Sequence, residues 1–346
     1  MLNKAVFTLL FTSCFVFLIS QSISAKPEFL IKFHEIDRWQ LGGDGGWDYL
    51  TADSSSRRLY IARNNRVMVV DLDSGKLVGE VLETDGAHGI ALVPSLGLGF
   101  ATAGRVGLVT VFDLKTLKKI DSIKVGENPD AILYDKSSSQ IFVFNGKSKS
   151  VSAIDPKSKK ILNTITLHGK PEFAVSNESG RVFVNLEDQN MLVAIDSKDH
   201  KIVAQYPLSP CEEPTGLSID GTRQRLYVGC GNKMAVIVDA SSGKIIKTIP
   251  AGEGIDATAV DSKLNLAFVS AGEGRLTVIN NDLKDIEVAQ DLKTEKGART
   301  LAIDSEKGHV LLATAKFGPP EKAVEGQKRA RLSIKPNSFF VIVLGQ

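Results

Sequence analysis

The 346-residue chain has few cysteines (three), few histidines (five) and two tryptophans. No Cys-x-x-Cys-His run occurs, which excludes covalent attachment of a c-type haem. Gly-x-Ser-x-Gly, the phosphate-loop pattern and His-Glu-x-x-His are also absent, so no familiar hydrolase, nucleotide-binding or zincin signature is present. Charge of one sign is lacking as well: 42 Lys+Arg oppose 40 Asp+Glu for a net charge of +2, which argues against an overall basic nucleic-acid binder but not against a local basic patch. Beyond the apolar run Ala5 to Ile19, no stretch approaches the roughly 20 apolar residues of a membrane helix. With 43% hydrophobic and 24% charged residues the chain has enough apolar surface for a large core, and disorder is excluded as its main character.

The amino terminus has the outline of a secretory signal peptide. Lys4 precedes the apolar run, which ends in the small and polar residues Ser20 to Ala25 before Lys26-Pro27. Residues 1–25 are therefore expected to be removed, leaving a periplasmic or secreted domain over 26–346 that acts as a monomer and has no transmembrane segment. Cys14 lies inside the apolar run, where an acylated cysteine does not belong. The remaining pair, Cys211 and Cys230, would reach an oxidising compartment, and a disulfide between them is expected.

Three landmarks repeat about every 42 residues. The first is an apolar strand closed by a turn former, at Asp53, Pro94, Asp135, Asn177, Asp220, Asp261 and Asp304. An aromatic or leucine follows at Tyr60, Phe100, Phe142, Phe183, Tyr227, Phe268 and Leu311. A Val/Ile-rich strand then closes at Asp71, Asp113, Asp155, Asp196, Asp239 and Asn280. A period of 40 to 45 residues is the signature of propeller blades. Each unit reads as four short antiparallel strands, A to D, with the aspartates accepting backbone N–H bonds in the turns. The expected fold is an all-β, seven-bladed β-propeller with repeats at about 45–86, 87–128, 129–170, 171–213, 214–254, 255–297 and 298–346. The last repeat lacks its outer strand. The alternating segment Glu28 to Gln40, with Phe29, Ile31 and Phe33, is expected to supply it and close the ring.

The forms Arg58-Leu59-Tyr60-Ile61, Arg181-Val182-Phe183-Val184 and Arg225-Leu226-Tyr227-Val228, with third strands ending in Asp, resemble the bacterial YVTN-type β-propeller repeat family over residues 45–346. The resemblance implies an exported seven-bladed propeller and assigns no reaction, because its defining residues build the blade. The five histidines are too few and badly placed for the histidine-rich copper clusters of denitrification propellers. Asp71 to Gly75 imitates the opening of a calcium loop, but Lys76 and Leu82 stand where its glycine and glutamate are required, and it reads as a hairpin.

In a propeller the D–A and B–C loops emerge on one face. Asp48, His88, Asp130, Glu172, Asp256 and Arg299 lie at the starts of A strands and are expected to face one another at the channel mouth as a ligand-binding set. His88, Asp48 and Asp130 are candidate ligands for a divalent cation, although the sequence identifies no cofactor and no catalytic residue. The B–C loops carry Arg63, Arg66, Arg105, Lys147, Lys149, Lys233 and Arg275, and blade seven adds the basic insertion Lys316 to Pro336. Three functions follow as expectations. The first is a binding or interaction scaffold for an unidentified protein or small ligand. The second is a metal-dependent lyase or lactonase-like enzyme. The third is single-stranded nucleic-acid binding through the basic loops.

Overall fold

The alternation of apolar and polar residues in each repeat demands strands with two faces to bury, and the chain satisfies it by stacking sheets face to face. The computed structural model describes Met1 and residues 32–282, 286–320 and 332–346. The leader expected at 1–25 and the residues Phe29 and Ile31 lie outside them. Seven four-stranded antiparallel sheets are ordered A-B-C-D. The inner strands are Leu50–Asp53, Ile90–Val93, Pro129–Asp135, Pro171–Ser176, Pro214–Asp220, Ile255–Asp261 and Thr300–Asp304. Each packs against the next, and the last returns to the first, so the sheets close into a β-propeller.

The hydrophobic core is divided among the seams. Seven buried clusters each join two neighbouring blades, such as Leu59, Ile61 and Met68 of blade one against Leu311, Val341 and Val343 of blade seven. The recurring aspartates hold the turns as expected. Asp71 accepts from the N–H of Asp73 and Ser74 at 3.2 and 2.8 Å, and Asp113 from Lys115 and Thr116 at 3.0 and 2.6 Å. Asp220 accepts from Thr222 and Arg223 at 3.0 and 3.1 Å.

Blade seven contains both ends of the propeller. Its outer strand is His34–Gln40, inside the segment expected over Glu28 to Gln40, and it pairs antiparallel with Phe340–Gly345. Phe33 precedes that strand; it is buried, and its backbone N–H and C=O both bond the Gln290 side-chain amide at 2.8 Å. Beside this closure runs the loop Gly42-Gly43-Asp44-Gly45-Gly46, wrapped around Arg63. The sequence places Arg63 with the exposed basic loop residues; the structure corrects this, since the side chain is fully buried. Its Nε donates to Gly46 O at 3.0 Å, Nη1 to Gly42 O at 3.2 Å, and Nη2 to Gly43, Asp44 and Gly45 oxygens at 3.2–3.3 Å. The guanidinium stacks on Phe339 at 3.7 Å. Gly42, Gly43 and Gly45 have φ of +63°, +74° and +89°, the left-handed geometry that turns successive carbonyls toward one cation. Arg57 adds a bidentate bond across the same seam to Asp304, at 2.8 and 2.7 Å.

Cys211 and Cys230 are disulfide-bonded, with Cα atoms 5.4 Å apart and a sequence separation of 19. They tie the loop before one inner strand to the end of its neighbour. Closing a loop of that size contributes about 3 kcal/mol in the chain-entropy description. The blade-seven insertion begins and ends as a small ladder, Phe317–Pro320 with Leu332–Ile334, and residues 321–331 between them lie outside the described residues.

Candidate functional site at the channel mouth

Every inner strand begins on the same face, so the residue entering it is aimed at the axis. The structure brings together all six sequence-selected residues, from blades one, two, three, four, six and seven. His88 Nδ1 lies against Asp48 Oδ2 and 3.2 Å from Asp130 Oδ1. The possible ligand atoms of these three residues all lie within 4.8 Å of one another. Asp256 and Arg299 pair at 2.6 Å. Glu172 is held by Lys170 at 2.8 Å, and Lys170 also bonds Glu187.

Blades two and three are tied together beneath the site. Thr102 is fully buried, and its hydroxyl accepts from the N–H of His88 at 3.3 Å and of Gly89 at 2.9 Å. The same hydroxyl donates to the Asp130 carbonyl at 3.1 Å. Gly104 lies against the imidazole, where an added Cβ would meet His88 Cδ2 at 3.1 Å. These contacts fix the spacing of His88 and Asp130 from their backbones.

Crowding of buried acids sets the protonation pattern. Desolvation pushes Asp130 and Asp256 up to about 6, although His88 and Arg299 respectively oppose it. Burial and then the Asp130 charge push Glu172 to about 8 against the pull of Lys170. For His88 burial acts downward, but the Asp48 hydrogen bond and the charges of Asp130, Asp48 and Glu172 outweigh it and raise the imidazole to about 9. Arg299 is raised, chiefly by Asp256. At neutral pH the trio is thus an imidazolium between two acids.

Several contributors were not selected from sequence. Tyr49 is 6% exposed and packs on Phe173 at 4.4 Å between ring centroids. Burial and then the charges of Asp256, Glu172, Asp48 and Asp130 raise its hydroxyl well above the phenolic range, which places it in the field of all four. That hydroxyl is buried without a hydrogen-bond partner among the described residues. The available signal was positional: Tyr49 and Phe173 each follow an acid, Asp48 or Glu172, at the strand entrance. Lys170, Glu187 and Thr102 carried no comparable mark.

A cavity of about 580 Å³ opens here, lined by Trp47, Asp48, His88, Arg299, Phe317 and Ile334 among others. Trp47 packs on Phe339 at 5.5 Å and Phe317 at 6.2 Å. The base of the blade-seven insertion therefore forms one wall of the mouth. The outer acids and the B–C loop bases largely neutralise each other: Arg105 bonds Asp85 at 2.8 Å, Lys149 bonds Asp188 at 2.8 Å, and Lys233 bonds Glu253 at 3.0 Å. Lys316 bonds Glu295 at 3.1 Å.

No family model matches the sequence, and no curated protein matches it. Among solved structures the chain is similar to Kuenenia stuttgartiensis hydrazine synthase, with a TM-score of 0.68 and 15% identity, covering 77% of this chain and 92% of that one. It is also similar to the WD40 repeats of RRP9, with a TM-score of 0.73 and 9% identity, covering 90% and 97%. At these identities the likeness concerns the propeller fold alone. Among the described residues no helix is long and apolar enough to cross a membrane.

Proposed function

We propose that this chain is an exported, monomeric binding propeller of the YVTN type, whose site is the carboxylate-lined mouth of its channel and whose ligand is a small cation. The observation that carries this reading is the meeting of Asp48 and Asp130 at His88 and of Asp256 with Arg299 at the channel mouth, where Asp48, His88 and Arg299 line one cavity and Glu172 adds its charge to that of the other acids at His88. Export is supported by the leader-like residues 1–25 and by the Cys211–Cys230 bond. Binding is favoured over nucleic-acid recognition because Arg63 is buried and Arg105, Lys149 and Lys233 are already paired with acids. Trp47 and Phe317 beside Asp48 give the cavity an apolar wall suited to the body of an organic ligand.

Native mass spectrometry of protein recovered from its producing cell tests this reading. A bound small cation lost from Asp48→Asn and Asp130→Asn variants is the expected result. Retention of the same ligand by both variants overturns it. An enzyme of the metal-dependent lyase or lactonase kind is a second reading, favoured by the Asp48–His88–Asp130 grouping. It requires substrate turnover that disappears with His88→Ala.

A further inference from the structure

We propose that Asp48, His88 and Asp130 bind one divalent transition-metal ion at the channel mouth. This rests on the channel-mouth reading and names its cation. The three side chains offer one imidazole nitrogen and two carboxylates, with ligand atoms within 4.8 Å of one another. Ligands about 2.1 Å from an octahedral or tetrahedral ion lie about 3.0–3.4 Å apart along an edge. The 3.2 Å between His88 Nδ1 and Asp130 Oδ1 is such an edge. As the ion enters, the proton on His88 Nδ1 leaves to solvent and Asp48, which sits closer, draws back slightly. An imidazole nitrogen among oxygens favours Zn²⁺, Mn²⁺ or Fe²⁺ over the all-oxygen preference of Ca²⁺.

Local charge places the ion at this trio rather than elsewhere in the mouth. Glu172 and Glu187 share Lys170, and Asp256 holds Arg299. Among the described residues the direct ion pairs of Asp48 and Asp130 are both with His88, while Arg299 and Lys170 act on them without a salt bridge. A second observation is independent of the acids. The Tyr49 hydroxyl, one residue beyond Asp48, is buried and has no hydrogen-bond partner among the described residues. A buried unpaired hydroxyl is costly, and water on a bound ion would give it a partner. Thr102 anchors the backbones of His88 and Asp130, so two ligands are held before the ion arrives.

The test is titration of chelator-treated, full-length protein with Mn²⁺ and separately with Zn²⁺, read by calorimetry and by the shift in unfolding temperature. Co²⁺ absorption then reports whether an imidazole is bound. One ion per chain is expected, with affinity reduced at least about 10-fold in His88→Ala and in Asp130→Asn, and with the Co²⁺ spectrum altered in His88→Ala. Circular dichroism of the metal-free variants checks that each is folded, and Asp130→Glu, which keeps the carboxylate, should restore part of the binding. If the native protein takes up no ion, or takes it up equally well after both substitutions, the metal proposal is overturned. If an organic cation then still requires Asp48 and Asp130, the channel-mouth reading survives without the metal. If nothing bound depends on those residues, both fall.

Discussion

Replacing Arg63 with alanine removes the clasp that holds the propeller's closing loop. The guanidinium bonds carbonyls of all five residues from Gly42 to Gly46, and Nη2 divides its donors among three of them. Counting three effective charge-assisted bonds at about 2 kcal/mol each gives about 6 kcal/mol. Stacking on Phe339 adds about 1 kcal/mol. Against this, burial and then the Arg66 charge lower Arg63 from its ordinary 12.5 to about 10, which corresponds to about 3 kcal/mol of opposition to the charged form. The difference is about 4 kcal/mol. In thermal unfolding of the purified protein this should lower Tm by roughly 5–10 °C, and in urea it should lower the midpoint with little change in slope. Arg63→Lys should recover less than half of the loss, because an ammonium lacks the planar fork and the stacking face. A loss below about 1 kcal/mol would refute the clasp.

Stability should peak near pH 4 and decline on both sides. Asp71, Asp113, Asp155, Asp196 and Asp239 are held below the usual carboxylate range by hydrogen bonds from the following Ser or Thr hydroxyls or backbone N–H groups. Their contribution is complete above about pH 4 and lost below it. Asp130 and Asp256 at about 6 and Glu172 at about 8 are raised, so each takes stability from the fold as pH rises from about 4, its unfolded value, to that folded value, where the loss is complete. The His88 contribution is complete below about pH 6.5 and disappears as pH rises through about 9. A Tm–pH profile checks this, and Glu172→Gln should flatten the alkaline arm; an unchanged arm sinks the assignment. Reduction of Cys211–Cys230, or Cys211→Ser, should cost about 3 kcal/mol in urea unfolding. Asn281 is buried between blades five and six, where it accepts from Tyr227 and from Arg225 at 2.9 Å and donates to Asp220 at 2.5 Å. Asn281→Leu should therefore cost about 3 kcal/mol, and a neutral result would show that the network relaxes around it.

Blade number, strand order and the closing strand were legible because they follow from periodic residues. The aspartates from Asp53 to Asp304 mark turns wherever the blade stands in the ring. The grouping of these residues at the channel mouth was legible as a list, since the entrance of each inner strand has one direction whatever its neighbours. Its pairings were not legible. That Arg299 meets Asp256 while His88 takes both Asp48 and Asp130 depends on the small rotation between blades. Arg63 was misplaced for a related reason: in its own repeat it is a loop-edge arginine like Arg105. Only the glycine loop arriving from the preceding blade encloses it. The closing ladder is described from His34, and Phe29 and Ile31 of the expected strand lie outside the described residues.

The six mouth residues are each rooted in a different sheet, so an occupant of the mouth behaves as the hub of a wheel whose spokes are inner strands. Among the described residues the Tyr49–Phe173 contact makes a similar link, between blades one and four. Loosening any one spoke displaces one contact at the hub, and occupancy should fall before the wheel comes apart. Retention of a cation bound as proposed would then gauge the whole circumference, sensitive to damage at a rim position remote from any atom it touches.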